Sequence, residues 1–190
     1  MSIGRTAEEV DGIAPARAGS EQWLIEHARQ GDHEAFGRLV ELKLDRAFRV
    51  ASAVLGNEAD ARDATQDAFI AAWRNLPRLR DVRKFDAWLH RLLINGCRDV
   101  QRRRRRVREI ALESKTLTVS GGLERAADRL AVGAALDRLS VNDRALLVLH
   151  HVEGLPVADL ARRLGVPVGT AKWRLHEARR ALERALGTDR

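Results

Sequence analysis

The chain has 190 residues and a formal net charge of +7, with Lys and Arg outnumbering Asp and Glu 34 to 27; such a balance points to a polyanionic partner. The single cysteine excludes an intramolecular disulfide. No apolar run has the length of a transmembrane helix, and residues 1–20 lack the apolar core of a signal peptide, so the expectation is a cytoplasmic protein without membrane insertion.

Ala and Arg dominate, Tyr is absent, aromatics are 4 % and there are four prolines, a composition that favours helices over strands. Residues 1–19 show no periodicity and are read as a mobile tail. Ser20 is a plausible N-cap for a short helix carrying Trp23, Leu24 and Ala28, which ends at Gly31. Asp32 caps a longer helix to about Leu55, with Phe36, Leu39, Val40, Leu44, Ala47, Phe48 and Ala51 as apolar positions, closed by Gly56–Asn57.

A third helix, from Glu58 to about Asn75, buries a stripe of Ala61, Ala68, Phe69, Ala72, Trp73 and Leu76. Asp60, Asp63 and Asp67 lie in line on another face, next to Gln66. Acids in the first turn offset the helix dipole, but Asp67 lies beyond it. The row reads either as a solvated face or as a docking stripe for a basic partner. Pro77 breaks the helix, and the loop Arg78 to Lys84 (RLRDVRK) carries four basic residues.

A long helix from Phe85 turns Phe85, Trp88, Leu89, Leu92, Leu93, Cys97 and Val100 inward and Arg91, Asn95, Arg98 and Arg102 outward. It runs into five consecutive arginines, Arg102 to Arg106. Continuing a basic stripe, they suit a phosphate track better than a solvated tail. Cys97 reads as a buried inert thiol. Residues 107–126, with mixed charge and Gly121–Gly122, read as a flexible linker.

A second helical unit over 127–187 follows. Helices are expected at 127–139 and 141–153, the latter capped by Ser140 and buried nearly all round through Ala145 to Leu149 and Val152. His150 and His151 are adjacent, so their rings point to different sides and structural roles are expected. Then Val157, Leu160, Ala161 and Leu164 mark one face of a helix, Gly165 and Pro167 end it, and a second helix starts at Val168. Two short helices across a Gly-containing turn make a helix-turn-helix, whose second helix enters the DNA major groove. Thr170, Lys172, Trp173, Arg174, His176, Glu177 and Arg180 lie on or beside its outward face. Trp173 reads either as packing on a neighbour or as contacting sugar or a thymine methyl.

The predicted fold is all-α: two small helical domains, 20–106 and 127–187, on a flexible linker. No catalytic constellation, metal-ligand spacing or nucleotide cradle is present in the sequence. Neither an enzyme nor a cofactor is expected.

Taken together, these segments resemble bacterial RNA polymerase sigma factors of the extracytoplasmic-function group. DARDATQDAFIAAWRNLPRL and FDAWLHRLLINGCRDVQRRRRR resemble the group's region 2, and ALDRLSVNDRALLVLHHVEGLPVADLARRLGVPVGTAKWRLHEARRAL its region 4. The resemblance implies core RNA polymerase as partner, through its β′ clamp helices and its β subunit. Asp60, Asp63, Gln66, Asp67 and Trp73 would dock on the clamp helices. Arg78, Leu79, Arg80, Asp81, Val82, Arg83 and Lys84 would form the loop that captures a flipped base of the −10 element. Trp88, Arg91, Asn95, Arg98 and Arg102 would line the opening duplex. Thr170, Lys172, Trp173, Arg174, His176, Glu177 and Arg180 would read the −35 element of promoter DNA. An anti-sigma factor is the further partner implied. The group often has Ser in place of Trp173 and a basic residue in place of Glu177, so its −35 preference does not transfer. The rival readings are a free-standing helix-turn-helix regulator and a partner-binding module without a DNA role.

Overall fold

The computed structural model describes residues 20–113 and 133–187, with side chains described over 20–107 and 133–187; the expected tail, most of the linker and the start of the 127–139 helix lie outside them. The helices are α1 (Glu21–Arg29), α2 (His33–Leu55), α3 (Glu58–Asn75), α4 (Phe85–Glu113), α5 (Val141–Leu147), α6 (Val157–Leu164) and α7 (Val168–Leu186). Two 3₁₀ turns, Leu76–Arg78 and Val82–Lys84, join α3 to α4, and a π-helical turn, Val148–Val152, continues α5. Residues 133–137 are also helical, and no strand occurs among the described residues.

Caps set the helix boundaries. Ser20 accepts a hydrogen bond from the Trp23 amide, Asp32 from Glu34 and Ala35, Asn57 from Asp60, and Ser140 from Asp143. Such caps are worth about 1 kcal/mol each. Gly56 and Gly165 end α2 and α6 with φ of 67°, a left-handed conformation that a side chain resists. α4 runs seven residues past Arg106 to Glu113, into the segment expected as linker.

α2, α3 and α4 pack around Leu39, Ala51, Ala61, Ala68, Leu93 and Cys97, and α1 covers one end with Leu24 and Ile25. Small residues let α3 and α4 come close: a Cβ on Gly96 would lie 3.0 Å from the Ala64 carbonyl oxygen. The second group, α5 to α7, closes on Leu146, Leu149, Leu160, Leu175 and Ala178. Val152, expected inside, is 66 % exposed, because the π turn at the end of α5 carries it off the buried face. The same wider turn brings the rings of His150 and His151 together, edge to face with centroids 4.8 Å apart, not to opposite sides. Their roles are structural: His150 Nδ1 is 2.8 Å from the Leu155 carbonyl and His151 Nε2 accepts from Arg179.

The two groups touch directly. α5 and α6 lie on α4, and α5 and the π turn on α2. No described helix is long and apolar enough to cross a membrane.

Candidate polymerase and promoter interfaces

α3 carries two different surfaces. Towards α2 it lines an apolar groove of about 940 Å³, with Phe36, Val40, Leu44 and Phe48 on one wall and Phe69, Ile70 and Trp73 on the other. The Trp73 ring sits 4.5 Å from His33 and 4.9 Å from Phe36. Gln66 stands on the rim. Leu44 and Ile70 are 43 % and 40 % exposed, so the groove is an open apolar face of the kind that takes a partner. Towards α4, Asp67 pairs with Arg103 at 3.2 Å and Asp60 with Arg104 at 2.7 Å. The Asp60–Arg104 contact is one of charge, without hydrogen-bond alignment. Asp63 is exposed between the two surfaces. The five predicted polymerase contacts are thus split: Gln66 and Trp73 on the groove, Asp60 and Asp67 under the chain's own arginines, Asp63 between. The α2 wall of the groove was not anticipated as a surface, although Phe36, Val40, Leu44 and Phe48 recur at the 3–4 residue spacing that marks one helix face.

In the loop before α4, Leu79 and Val82 pack against the core. Leu79 also accepts Arg29 Nη1 on its carbonyl at 3.1 Å. Only the polar members of this predicted loop are therefore turned outward. Arg78, Arg80, Arg83 and Lys84 are exposed. Asp81 caps the second 3₁₀ turn, and its charge holds Arg83 at 3.1 Å and Lys84 at 3.8 Å. Hydrogen bonds from Arg83 draw the Asp81 carboxyl below its usual range, although desolvation works against this.

The outward face of α4 is engaged by the other half of the molecule. Arg91 donates to the carbonyls of Arg162 and Arg163, at 3.1 and 3.3 Å, at the end of α6. These are carbonyls that the helix itself leaves unpaired. Arg98 donates to Asn142 Oδ1 at 2.6 Å and to Asn95 Oδ1 at 2.7 Å. Arg102 pairs with Asp99 on its own helix. Trp88 is half-buried, its ring 5.8 Å from Phe85. In this arrangement Arg91, Asn95 and Arg98 face α5 and α6, not solvent alone.

The helix-turn-helix is formed by α6 and α7. Leu160 and Ala161 of α6 meet Ala171, Leu175 and Ala178 of α7 in the buried set. Gly165 makes the turn, and the Val166 amide returns to the Ala161 carbonyl at 3.0 Å. On the far side of α7, Lys172, Trp173, His176 and Arg180 are exposed, and Thr170, Arg174 and Glu177 half-buried. Trp173 is 63 % exposed, so it does not pack on a neighbour. Among the described residues none of the charges on this face forms an ion pair. A row of unpaired cationic and aromatic groups on the second helix is a surface suited to the major groove.

A polar seam between the halves was not read from the sequence. Arg46 of α2 pairs with Glu153, and His90 and Arg163 meet across α4 and α6; beside them, within the first half, Lys43 is shared by Glu21 at 2.7 Å and Asp86 at 2.9 Å. Its signals were Arg46 on α2 and His90 on the buried face of α4, each an ordinary polar residue until a second element lies over it. Among the described residues no cluster of His, Cys, Asp and Glu could hold a metal ion.

Comparison with known proteins matches two families in succession, Sigma-70 region 2 over residues 39–107 and Sigma-70, region 4 over 129–182. The chain is 36 % identical over 157 residues to the ECF RNA polymerase sigma factor SigM of Mycobacterium tuberculosis, covering 83 % of this chain and 80 % of that one. It is 28 % identical over 178 residues to SigW of Bacillus subtilis, covering 85 % and 94 %. Among solved structures it resembles CnrH in complex with the cytosolic domain of CnrY, with a TM-score of 0.65, 29 % identity and coverage of 90 % and 99 %. It also resembles RpoE in complex with the anti-sigma factor NepR from Bartonella quintana, with a TM-score of 0.63, 26 % identity and coverage of 82 % and 98 %. With two sigma-70 regions in order, an all-helical fold and relatives of one kind along most of its length, the chain belongs to the extracytoplasmic-function group of sigma-70-family RNA polymerase sigma factors.

Proposed function

We propose that this alternative sigma factor works through three surfaces: a polymerase-docking surface on α3, a −10-reading surface on the loop and outward face of α4, and a −35-reading surface on α7. It directs RNA polymerase to promoters in a stress or envelope-signal response. Acting in the cytoplasm, it adds no catalysis of its own, and the polymerase carries the chemistry. The domains are 20–106 and 127–187.

The single observation that carries this reading is the contrast between the faces. Asp63, Gln66 and the groove are open on α3, and α7 presents exposed Lys172, Trp173, His176 and Arg180. Asp60, Asp63, Gln66, Asp67 and Trp73 are assigned to the β′ clamp helices. Arg78, Arg80, Arg83 and Lys84 are assigned to the −10 strand, where opening takes a base out of the stack at a cost of a few kcal/mol. Leu79, Asp81 and Val82 shape that loop from within. Trp88, Arg91, Asn95, Arg98 and Arg102 line the melted segment. Thr170, Lys172, Trp173, Arg174, His176, Glu177 and Arg180 read the −35 duplex. Since CnrH and RpoE are solved with a bound CnrY domain and the anti-sigma factor NepR, an anti-sigma partner is proposed for this chain too.

The test is binding of the full chain to core polymerase lacking any sigma factor, followed by run-off transcription on genomic fragments. Stable binding with new, fragment-specific transcripts is expected, and charge reversal at Asp63 and Asp67 is expected to weaken the binding. Specific binding to free duplex DNA with no affinity for polymerase would instead identify a free-standing regulator.

A further inference from the structure

His90 lies 7 % exposed on α4, where α6 crosses it. Its Nδ1 stands 2.7 Å from the carbonyl oxygen of Asp86, one turn earlier on the same helix, and 2.5 Å from Nη1 of Arg163 on α6. One nitrogen cannot serve both. A guanidinium only donates, so the contact with Arg163 needs Nδ1 bare and the ring proton on Nε2. A carbonyl only accepts, so the contact with Asp86 needs Nδ1–H. The first bond joins the two halves of the molecule; the second stays within α4.

We propose that His90 is a proton-operated latch between the −10-reading and −35-reading halves: as neutral imidazole it accepts from Arg163 and holds α6 on α4, and as imidazolium it donates to the Asp86 carbonyl and releases Arg163. The latch rests on the assignment of Arg91 and Arg98 to the −10 element, because the same contact surface takes them up. Arg91 is bound to the last carbonyls of α6 and Arg98 to Asn142. Opening the seam releases both side chains from these bonds and leaves them free for DNA.

The surroundings favour this direction. Burial, then the charge of Arg163, then that of Arg46 on α2, lower the proton affinity of the ring below its ordinary 6.5; the Asp86 carbonyl and carboxylate oppose them in part. Glu153, the residue after the π turn, holds Arg46 and bears on Arg163, as Asp159 of α6 does. Burial alone would raise Asp86, but its hydrogen bond and charge contact with Lys43 outweigh that and keep it below 3.8. Lys43 is shared with Glu21 of α1. Asp86 therefore stays ionised over the whole range in which the imidazole titrates, and the ring is the group that changes. Released from the seam, His90 binds a proton more readily, so protonation favours the open form. The closed form is fully favoured above pH 6.5 and loses ground as pH falls below it.

The test needs neither polymerase nor promoter. The radius of gyration of the full chain is measured by small-angle X-ray scattering from about pH 8 to about pH 5, across the imidazole range, alongside far-ultraviolet circular dichroism. The wild type should expand through a transition centred below pH 6.5 with its helicity unchanged. His90→Gln, which keeps an acceptor for Arg163 and does not titrate, should stay compact throughout. Arg163→Gln, altered in the other half, should be expanded at both ends of the range. A wild-type radius that does not move, a His90→Gln protein that expands as the wild type does, or helicity lost in step with the expansion would each overturn the latch. A failure of promoter-directed transcription at neutral pH would overturn the promoter reading while leaving the pH-dependent expansion in place, and a flat radius with normal transcription would overturn the latch alone.

Discussion

At the scale of single residues, exposure separates side chains that hold the fold from those free to meet a partner. Trp173, 63 % exposed on α7, contributes little to the fold. Trp173→Ala should leave the melting free energy within about 0.5 kcal/mol of wild type while altering which −35 sequences the holoenzyme transcribes, measured on a randomised −35 library. Unchanged selectivity would remove Trp173 from the reading face. Gly96 is the opposite case. It touches no partner surface, but a Cβ there meets the Ala64 carbonyl at 3.0 Å. Gly96→Val should cost about 1–3 kcal/mol in urea unfolding, the usual range for overpacking. Cys97 is the buried thiol the sequence suggested. It is 0 % exposed, and burial pushes its pKa up to about 12, far from the reactive range.

At the scale of elements, α3 and α4 share charge. The five arginines read from the sequence as a phosphate track are, at Arg103 and Arg104, the counter-charges of Asp67 and Asp60. Pairs at the surface, with at least the arginine exposed, are worth about 0.2–1 kcal/mol each. Arg103→Ala with Arg104→Ala should therefore raise affinity for core polymerase by roughly two- to thirty-fold and lower the salt slope of promoter binding by about 1–2. Loss of polymerase affinity in that double variant would mean the arginines themselves touch the polymerase. Lys43 clasps α1 to α4 through Glu21 and Asp86. Because the Asp86 carboxyl is held below its ordinary 3.8 in the folded chain, its contribution to stability is present above that value and is lost as pH falls below it. Asp86→Asn should flatten the acid limb of a stability-versus-pH curve, and an unaltered limb would show that Lys43 gains nothing from Asp86.

At the scale of the whole molecule, the two reading halves lie against one another, and some of the contacts that join them use Arg91 and Arg98, side chains assigned to the −10 element. A holoenzyme that spans two promoter elements gains from two linked heads only when both are free and correctly spaced. Asn142 belongs to neither reading surface, yet it accepts Arg98. Asn142→Ala should enlarge the radius of gyration at neutral pH with helicity unchanged and should leave promoter opening intact, measured with a fluorescent base at the −10 position. An unchanged radius would show that the seam does not depend on this bond.

The sequence alone determined whatever depends on neighbours in the chain. Ser20, Asp32 and Ser140 act as N-caps, Gly56 and Gly165 stop their helices, and the 3.6-residue spacing marks the buried faces of α3, α4 and the helix-turn-helix. Each of these is decided within one or two helical turns, so the all-α fold class was legible. Three features were not: the groove wall from α2, the pairing of Asp60 and Asp67 with arginines about forty positions away, and the seam at His90 and Arg163. A periodic pattern tells which side of a helix is apolar, but not whether that side will be covered, and Phe36 and Phe48 read the same as Leu39. A charge pattern tells what a helix offers, but not which charge lies opposite. Arg91 is a free cation in the sequence and a cap on the end of α6 in the structure. Only the tertiary packing brings donor and acceptor within 3 Å or so, the distance at which a hydrogen bond takes its strength.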